Sequence, residues 1–163
     1  MLKKTVYTAL NEQVKHEFYS AYLYLSMAAY FETENLPGFA SWMQKQFTEE
    51  QEHAMKIYEY IHDRGGHVEL GAIDKPQSEF SSALEIFEIS LEHEKKVTAL
   101  IHDIYTVAAK EDDLATQVFL QWFITEQVEE EKTFTEVKEL LEKAGSDLNG
   151  LYRIDAKLGK RED

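Results

Sequence analysis

The chain predicts an all-α fold, a four-helix bundle with a long crossover between its second and third helices and a short C-terminal fifth helix. Three observations predict it. Both prolines (Pro37, Pro76) and all seven glycines fall between or after long stretches in which apolar residues recur with the helical period. No segment shows the alternation a half-buried strand requires. The links come as two short connections and one long one, the spacing of two helical hairpins joined by a strap.

The first helix is expected over about 2–32. The second starts at Pro37, where a first-turn proline forfeits no intrahelical bond, and runs to Arg64 before Gly65-Gly66. Gly65 to Glu79 is a 15-residue crossover. Extended, it spans roughly 50 Å against roughly 42 Å for a 28-residue helix, so it can run the height of the bundle and set the second and third helices parallel. Ser81 or Ser82 caps a third helix over 81–110, with Glu85 placed to bond back. Asp112 or Asp113 caps a fourth over 113–144, stopped by Gly145, and an amphipathic stretch over 148–158 forms the fifth.

Length and composition narrow the function classes. At 163 residues, with 44 % apolar and 29 % charged residues, the chain is one globular domain, 1–163. It has no cysteine, which removes disulfides, thiolate metal sites and cysteine nucleophiles together. The start, MLKKTVYTALNEQVKHEFYS, has no apolar leader, and no window approaches a membrane span. A soluble, cytoplasmic protein without a membrane partner is expected. The formal charge of −14 argues against nucleic acid as a partner.

The buried stripes carry the chemistry. Glu17 precedes Glu50 by 33 residues and His53 by 36, and Glu94 precedes Gln127 and Glu130 by the same intervals. In each half a lone carboxylate on one helix answers an i, i+3 pair on the next. Each sits mid-stripe: Glu17 between Val14 and Ala21, Glu50 between Phe47 and Ile57, Glu94 between Leu91 and Val97, and Gln127 and Glu130 between Phe123 and Phe134. Two folded hairpins bring all six groups to one level, the way a bundle builds a dinuclear metal site. Four carboxylates buried together cost several kcal/mol each in desolvation, so protons or metal ions must neutralise them. Hard oxygen donors with one imidazole suit iron or manganese and tolerate zinc. Glu50, whose helix also supplies His53, is the natural bridge between ions roughly 3.5–4 Å apart, which could each pass one electron to a shared dioxygen. Tyr24, two turns beyond Glu17 on the same face, is placed to bond a ligand carboxylate. Trp122 is read as packing. The other histidines (His16, His62, His67, His93, His102) are expected at the surface, His16 and His93 being turned about 100° from their ligand neighbours.

The segments LNEQVKHEFYSAYLYLSMAAYF, FTEEQEHAMKIYEYIHDRGG, LEHEKKVT and FLQWFITEQVEEEKTF resemble the bacterial non-haem ferritins over nearly the whole chain. The resemblance implies a ferritin-like di-iron fold. Glu17, Glu50 and His53 would hold one iron of a ferroxidase centre, and Glu50, Glu94 and Glu130 the second, with Gln127 beside them and Tyr24 next to the ligands. It implies a third, inner-surface iron position at Glu49, Glu126 and Glu129 together with Glu130, although acidic runs of this kind are ordinarily solvated helix faces. The implied activity is oxidation of Fe(II) by O2 or H2O2 and iron storage as ferric oxyhydroxide inside a homo-oligomeric cage of about 24 subunits. The negative balance would then concentrate Fe(II).

Two departures from related patterns matter. Haem-binding relatives carry a methionine just after the bridging glutamate and Glu-x-x-His on the fourth helix. Here Gln51 and Gln127/Glu130 occupy those places, so no haem is expected. Gln117 and Leu120 stand near where animal ferritins put channel acids, which leaves the iron route open. A rubrerythrin-like di-iron oxidase or peroxidase would share the carboxylates but typically adds a cysteine-bound iron. A miniature DNA-protecting cage would carry a different ligand pattern and basic tails. A purely structural bundle has no reason to align acids on four buried stripes.

Overall fold

The computed structural model describes residues 2–161. Five helices follow in order: α1 (Lys4–Thr33), α2 (Pro37–Asp63), α3 (Ala83–Lys110), α4 (Leu114–Ala144) and α5 (Leu148–Leu158). No strand occurs among the described residues. The ends lie within two residues of the expected ones, and the caps explain the differences. Ser82 Oγ accepts from the Glu85 backbone N–H at 3.1 Å, while Glu85 reaches back to the Ser81 N–H and hydroxyl, so both serines stay outside the helix. Asp113, not Asp112, caps α4 through Thr116 N–H, because Asp112 turns the chain at φ 55°.

Two glycines lie inside helices, within the expected bounds of the second and fifth. Gly38 is in the first turn of α2 and Gly150 in α5. Gly38 has a packing reason: a Cβ there would stand 1.8 Å from the Asp155 carbonyl oxygen. α5 therefore sits directly on the α2 backbone, and Asp155 Oδ1 accepts the Phe39 N–H at 2.9 Å, filling one of the donors that a helix start leaves over.

α1 pairs with α2 and α3 with α4 as antiparallel hairpins, and α1 packs on α3. α2 faces α4 through larger side chains, with Gln46 meeting Glu130, Tyr60 stacked on Phe119 (centroids 3.8 Å) and Arg64 on Asp113. The sense of these contacts makes α2 antiparallel to α4, hence parallel to α3. The segment between α2 and α3 is the strap that makes this possible. It climbs α1: Asn11 brackets the Glu69 backbone with both ends of its amide, Tyr7 bonds the His67 carbonyl, Ser26 the Gln77 carbonyl, and Tyr30 packs on Phe80.

The apolar interior is split. One cluster holds Phe31, Phe39, Trp42, Phe87 and Phe134 with their neighbours. The other holds Val6, Leu10, Ile57, Ile101, Leu120 and Phe123 with theirs. Between them each of the four long helices places buried polar residues, and that layer positions the site.

Candidate metal centre

Each helix contributes its polar residues where its apolar stripe breaks. Glu17 and Ser20 come from α1, Gln46, Glu50 and His53 from α2, Ser90 and Glu94 from α3, and Gln127 and Glu130 from α4, all buried. Glu50 and His53 share a face because three residues nearly complete a helical turn. One ligand atom each from Glu17, Glu50 and His53 lies within 4.8 Å of the others, and His53 Nδ1 stands 3.4 Å from Glu50 Oε2.

Glu94 faces them from α3. Its carboxylate takes the Tyr24 hydroxyl on one oxygen and the Gln127 amide on the other at 3.0 Å. Gln127 also donates to the Glu94 carbonyl and to Thr98 Oγ1, each at 3.2 Å. Gln127 thus presents its nitrogen to the acid, orienting it. Glu130 receives the Gln46 amide at 3.0 Å, and Glu17 receives the Gln13 amide at 2.9 Å. Gln13 and Gln46 were not singled out by the sequence. Their signal is position: each stands four residues before a carboxylate, Gln13 before Glu17 and Gln46 before Glu50, one turn along the same face.

The electrostatics show how costly the arrangement is as bare charge. Burial pushes Glu17 above the ordinary carboxylate range, although His53, Gln13 and Glu50 pull it back. Burial, then the charges of Glu94, Glu17 and Glu130, push Glu50 far above that range. Burial takes Glu94 up to about 7 against the opposing bonds from Tyr24 and Gln127. Burial and the charges of Glu94 and Glu49 take Glu130 up to about 8. Burial and the charges of Glu94, Glu50 and Glu130 raise the Tyr24 hydroxyl well above its ordinary range. Glu17 Oε2 and Glu50 Oε2 are buried and accept no hydrogen bond. Acceptor-only oxygens left over beside an imidazole are what a hard cation satisfies, so the donor set fits iron-like ions.

The outer acids fare unequally. Glu126 joins His53 and Glu130 in a second group whose ligand atoms lie within 4.8 Å of one another. Glu49, half-buried, is gripped on both oxygens by Arg161 at 2.6 and 2.8 Å. Glu129 is exposed on α4 and the structure does not bring it into either group. Trp122 packs edge-on against His53 with centroids 5.4 Å apart, its outer face under Lys56.

The histidine expectation needs correction. His62, His67 and His102 are exposed, but His16 and His93 are half-buried. His93 lies at the α1–α3 seam, 2.7 Å from Ser20 Oγ and against the rings of Tyr19 and Tyr24. A turn of about 100° from Glu94 carries a side chain off the bundle axis, and the neighbouring helix still covers it there. Burial brings its imidazole down to about 4.

With this geometry in view, the likenesses to known proteins are specific. The family model described as the ferritin-like domain matches residues 7–144. A bacterial non-heme ferritin of Staphylococcus aureus (strain USA300) is 44 % identical over 161 residues, covering 99 % of this chain and 97 % of that one. The protein of the same description from Staphylococcus haemolyticus (strain JCSC1435) is 43 % identical over the same length. Among solved structures, an open-pore ferritin from the hyperthermophilic archaeon Archaeoglobus fulgidus superposes with a TM-score of 0.98 at 44 % identity, covering 99 % of both chains. A form of that ferritin engineered to be closed also superposes at 0.98.

Proposed function

The chain belongs to the ferritin family, and from that premise we propose that it is a ferroxidase that stores iron within a shell of its own copies. Fe(II) is the substrate. Glu17, Glu50 and His53 take one ion, and Glu50, Glu94 and Glu130 take its neighbour. Each Fe(II) gives up one electron. O2 accepts the two electrons with two protons to become H2O2, or H2O2 accepts them with two protons to become two waters. Ferric ions then move to the interior and accumulate as hydrated oxide. Tyr24 and Gln127 hold Glu94 in place, while Gln13 and Gln46 hold Glu17 and Glu130. The cytoplasm is the compartment this reading favours, and about 24 copies the expected shell.

The observation that carries the reading is the pair of buried carboxylate oxygens, on Glu17 and Glu50, that accept no hydrogen bond beside His53. An interior that has provided amide donors to Glu94, Glu130 and the other oxygen of Glu17 has left these two oxygens for a cation. Glu50→Ala tests it. Removing one of four clustered acids relieves repulsion and leaves the helices and shell intact, while rapid O2-dependent Fe(II) oxidation is expected to vanish. Oxidation at the parent rate by an assembled Glu50→Ala protein sinks the assignment. The molar mass of the purified protein separately distinguishes a shell from a small oxidase.

A further inference from the structure

From α5 as far as Arg161 the chain stays on the bundle. It lies along one stripe of α2, spaced three or four residues apart. Asp155 takes the Phe39 N–H, the Arg161 guanidinium lies 5.0 Å from the centre of the Trp42 ring, and Lys45 donates to the Arg161 carbonyl. Arg161 then bonds Gln46 Oε1 at 2.5 Å and both oxygens of Glu49 at 2.6 and 2.8 Å. One turn further along this helix are Glu50 and His53.

Arg161 thus touches the centre by two routes. Through Gln46, whose oxygen it holds while the amide nitrogen of that residue donates to Glu130 at 3.0 Å, it fixes the plane that orients a candidate ligand. Through Glu49 it occupies an acid beside the outer group of His53, Glu126 and Glu130, close enough for the Glu49 charge to act on Glu130. A planar guanidinium matches a carboxylate on two bonds at once, which is as near as a side chain comes to replacing a bound ion. The pair is a quarter to a third exposed, so water and salt weaken it and a divalent cation can compete.

We propose that Arg161 is a displaceable internal cation that holds Glu49 away from the outer metal group, so that a third ion binds only by expelling the guanidinium. The segment after α5 thereby sets the affinity and timing of the step that takes iron from the paired site toward storage. The inference rests on the metal-centre reading above and adds to it a competitor built into the chain.

The test is calorimetric titration of the assembled, metal-free protein with Zn(II), which binds without redox chemistry. The parent is expected to take two ions tightly and a third weakly. Arg161→Gln should tighten the third step about tenfold and leave the first step, at Glu17, Glu50 and His53, unchanged. Arg161→Lys, which keeps the charge but not the fork, should fall between them. Arg161→Gln combined with Glu49→Gln should lose the gain. An unchanged third affinity in Arg161→Gln, even with lowered thermal stability, overturns the proposal by reducing Arg161 to a clamp on α5. If Arg161→Gln fails to assemble, the Arg161→Lys titration decides: a third affinity equal to the parent's overturns the proposal and a tighter one supports it. Failure of the parent to take up the first two ions would overturn the metal-centre reading itself, a result distinct from normal paired uptake with an unchanged third step.

Discussion

Gln127 donates its amide to Glu94 across the α3–α4 interface at 3.0 Å, from the position that answers to Glu50 in the other hairpin. The two halves share spacing but not chemistry. The first offers an acid with an oxygen left over, and the second an amide that spends its hydrogens on the acid beside it. Converting Gln127→Glu would set a fifth carboxylate in the layer and turn a bond into a repulsion. We expect the metal-free protein to lose about 1–3 kcal/mol and to recover most of it with Zn(II). Thermal unfolding of parent and variant with and without the ion checks this; equal midpoints without metal would show the amide to be idle.

Acidity gives a second handle. Glu94 at about 7 and Glu130 at about 8 hold protons in the folded, metal-free protein that the unfolded chain releases above about 4.5. The folded state binds more protons across that window, so stability falls as pH rises through it. Glu94 alone accounts for something on the order of 3 kcal/mol. The metal-free midpoint should drop between pH 5.5 and 8.5 by several degrees, and Zn(II) should flatten the slope by taking the protons' place. A midpoint rising across the same interval would contradict the protonated layer.

The outer acids should matter later than the inner ones. In Glu49→Ala/Glu126→Ala/Glu129→Ala the first two ions should bind and oxidise at the parent rate, whereas the ratio of iron to O2 consumed, or the rate of repeated turnover, should change. Oxygen-electrode traces over successive iron additions read this directly. Traces superimposable on the parent's would return these side chains to the role of solvated surface.

Gly38 is the most closely covered of the glycines. Gly38→Ala would drive a methyl into the Asp155 carbonyl, 1.8 Å away, and the only relief is to move α5. A cost of about 1–3 kcal/mol is expected, together with faster hydrogen exchange at the Phe39 amide. Unchanged protection there would mean that α5 does not depend on this contact.

Most of the bundle was legible in the sequence because long helices announce themselves by period, and the caps at Ser82 and Asp113 use residues that a sequence displays openly. The inner acids were legible because a charge in an apolar stripe is a conflict that demands a reason. What was hidden depended on a partner distant in the chain. Nothing local shows that Gly38 lies under Asp155, that Arg161 reaches Glu49 across 112 residues, or that His93 is roofed by α1. Gln13 and Gln46 escaped notice because an amide on a helix is unremarkable until the acid it serves is seen beside it.

The split interior has a mechanical implication. Two greasy compartments, one at each end of the bundle, are separated by a wet-chemistry diaphragm held by side-chain hydrogen bonds. When only protons fill the diaphragm, the helix backbones and the bonds of Tyr24 and Gln127 to Glu94 and of Gln46 to Glu130 tie the compartments together. A doubly charged ion gripped from three helices would rivet them into one cooperative body, so on the proposed function the substrate would also stiffen the helices that hold it.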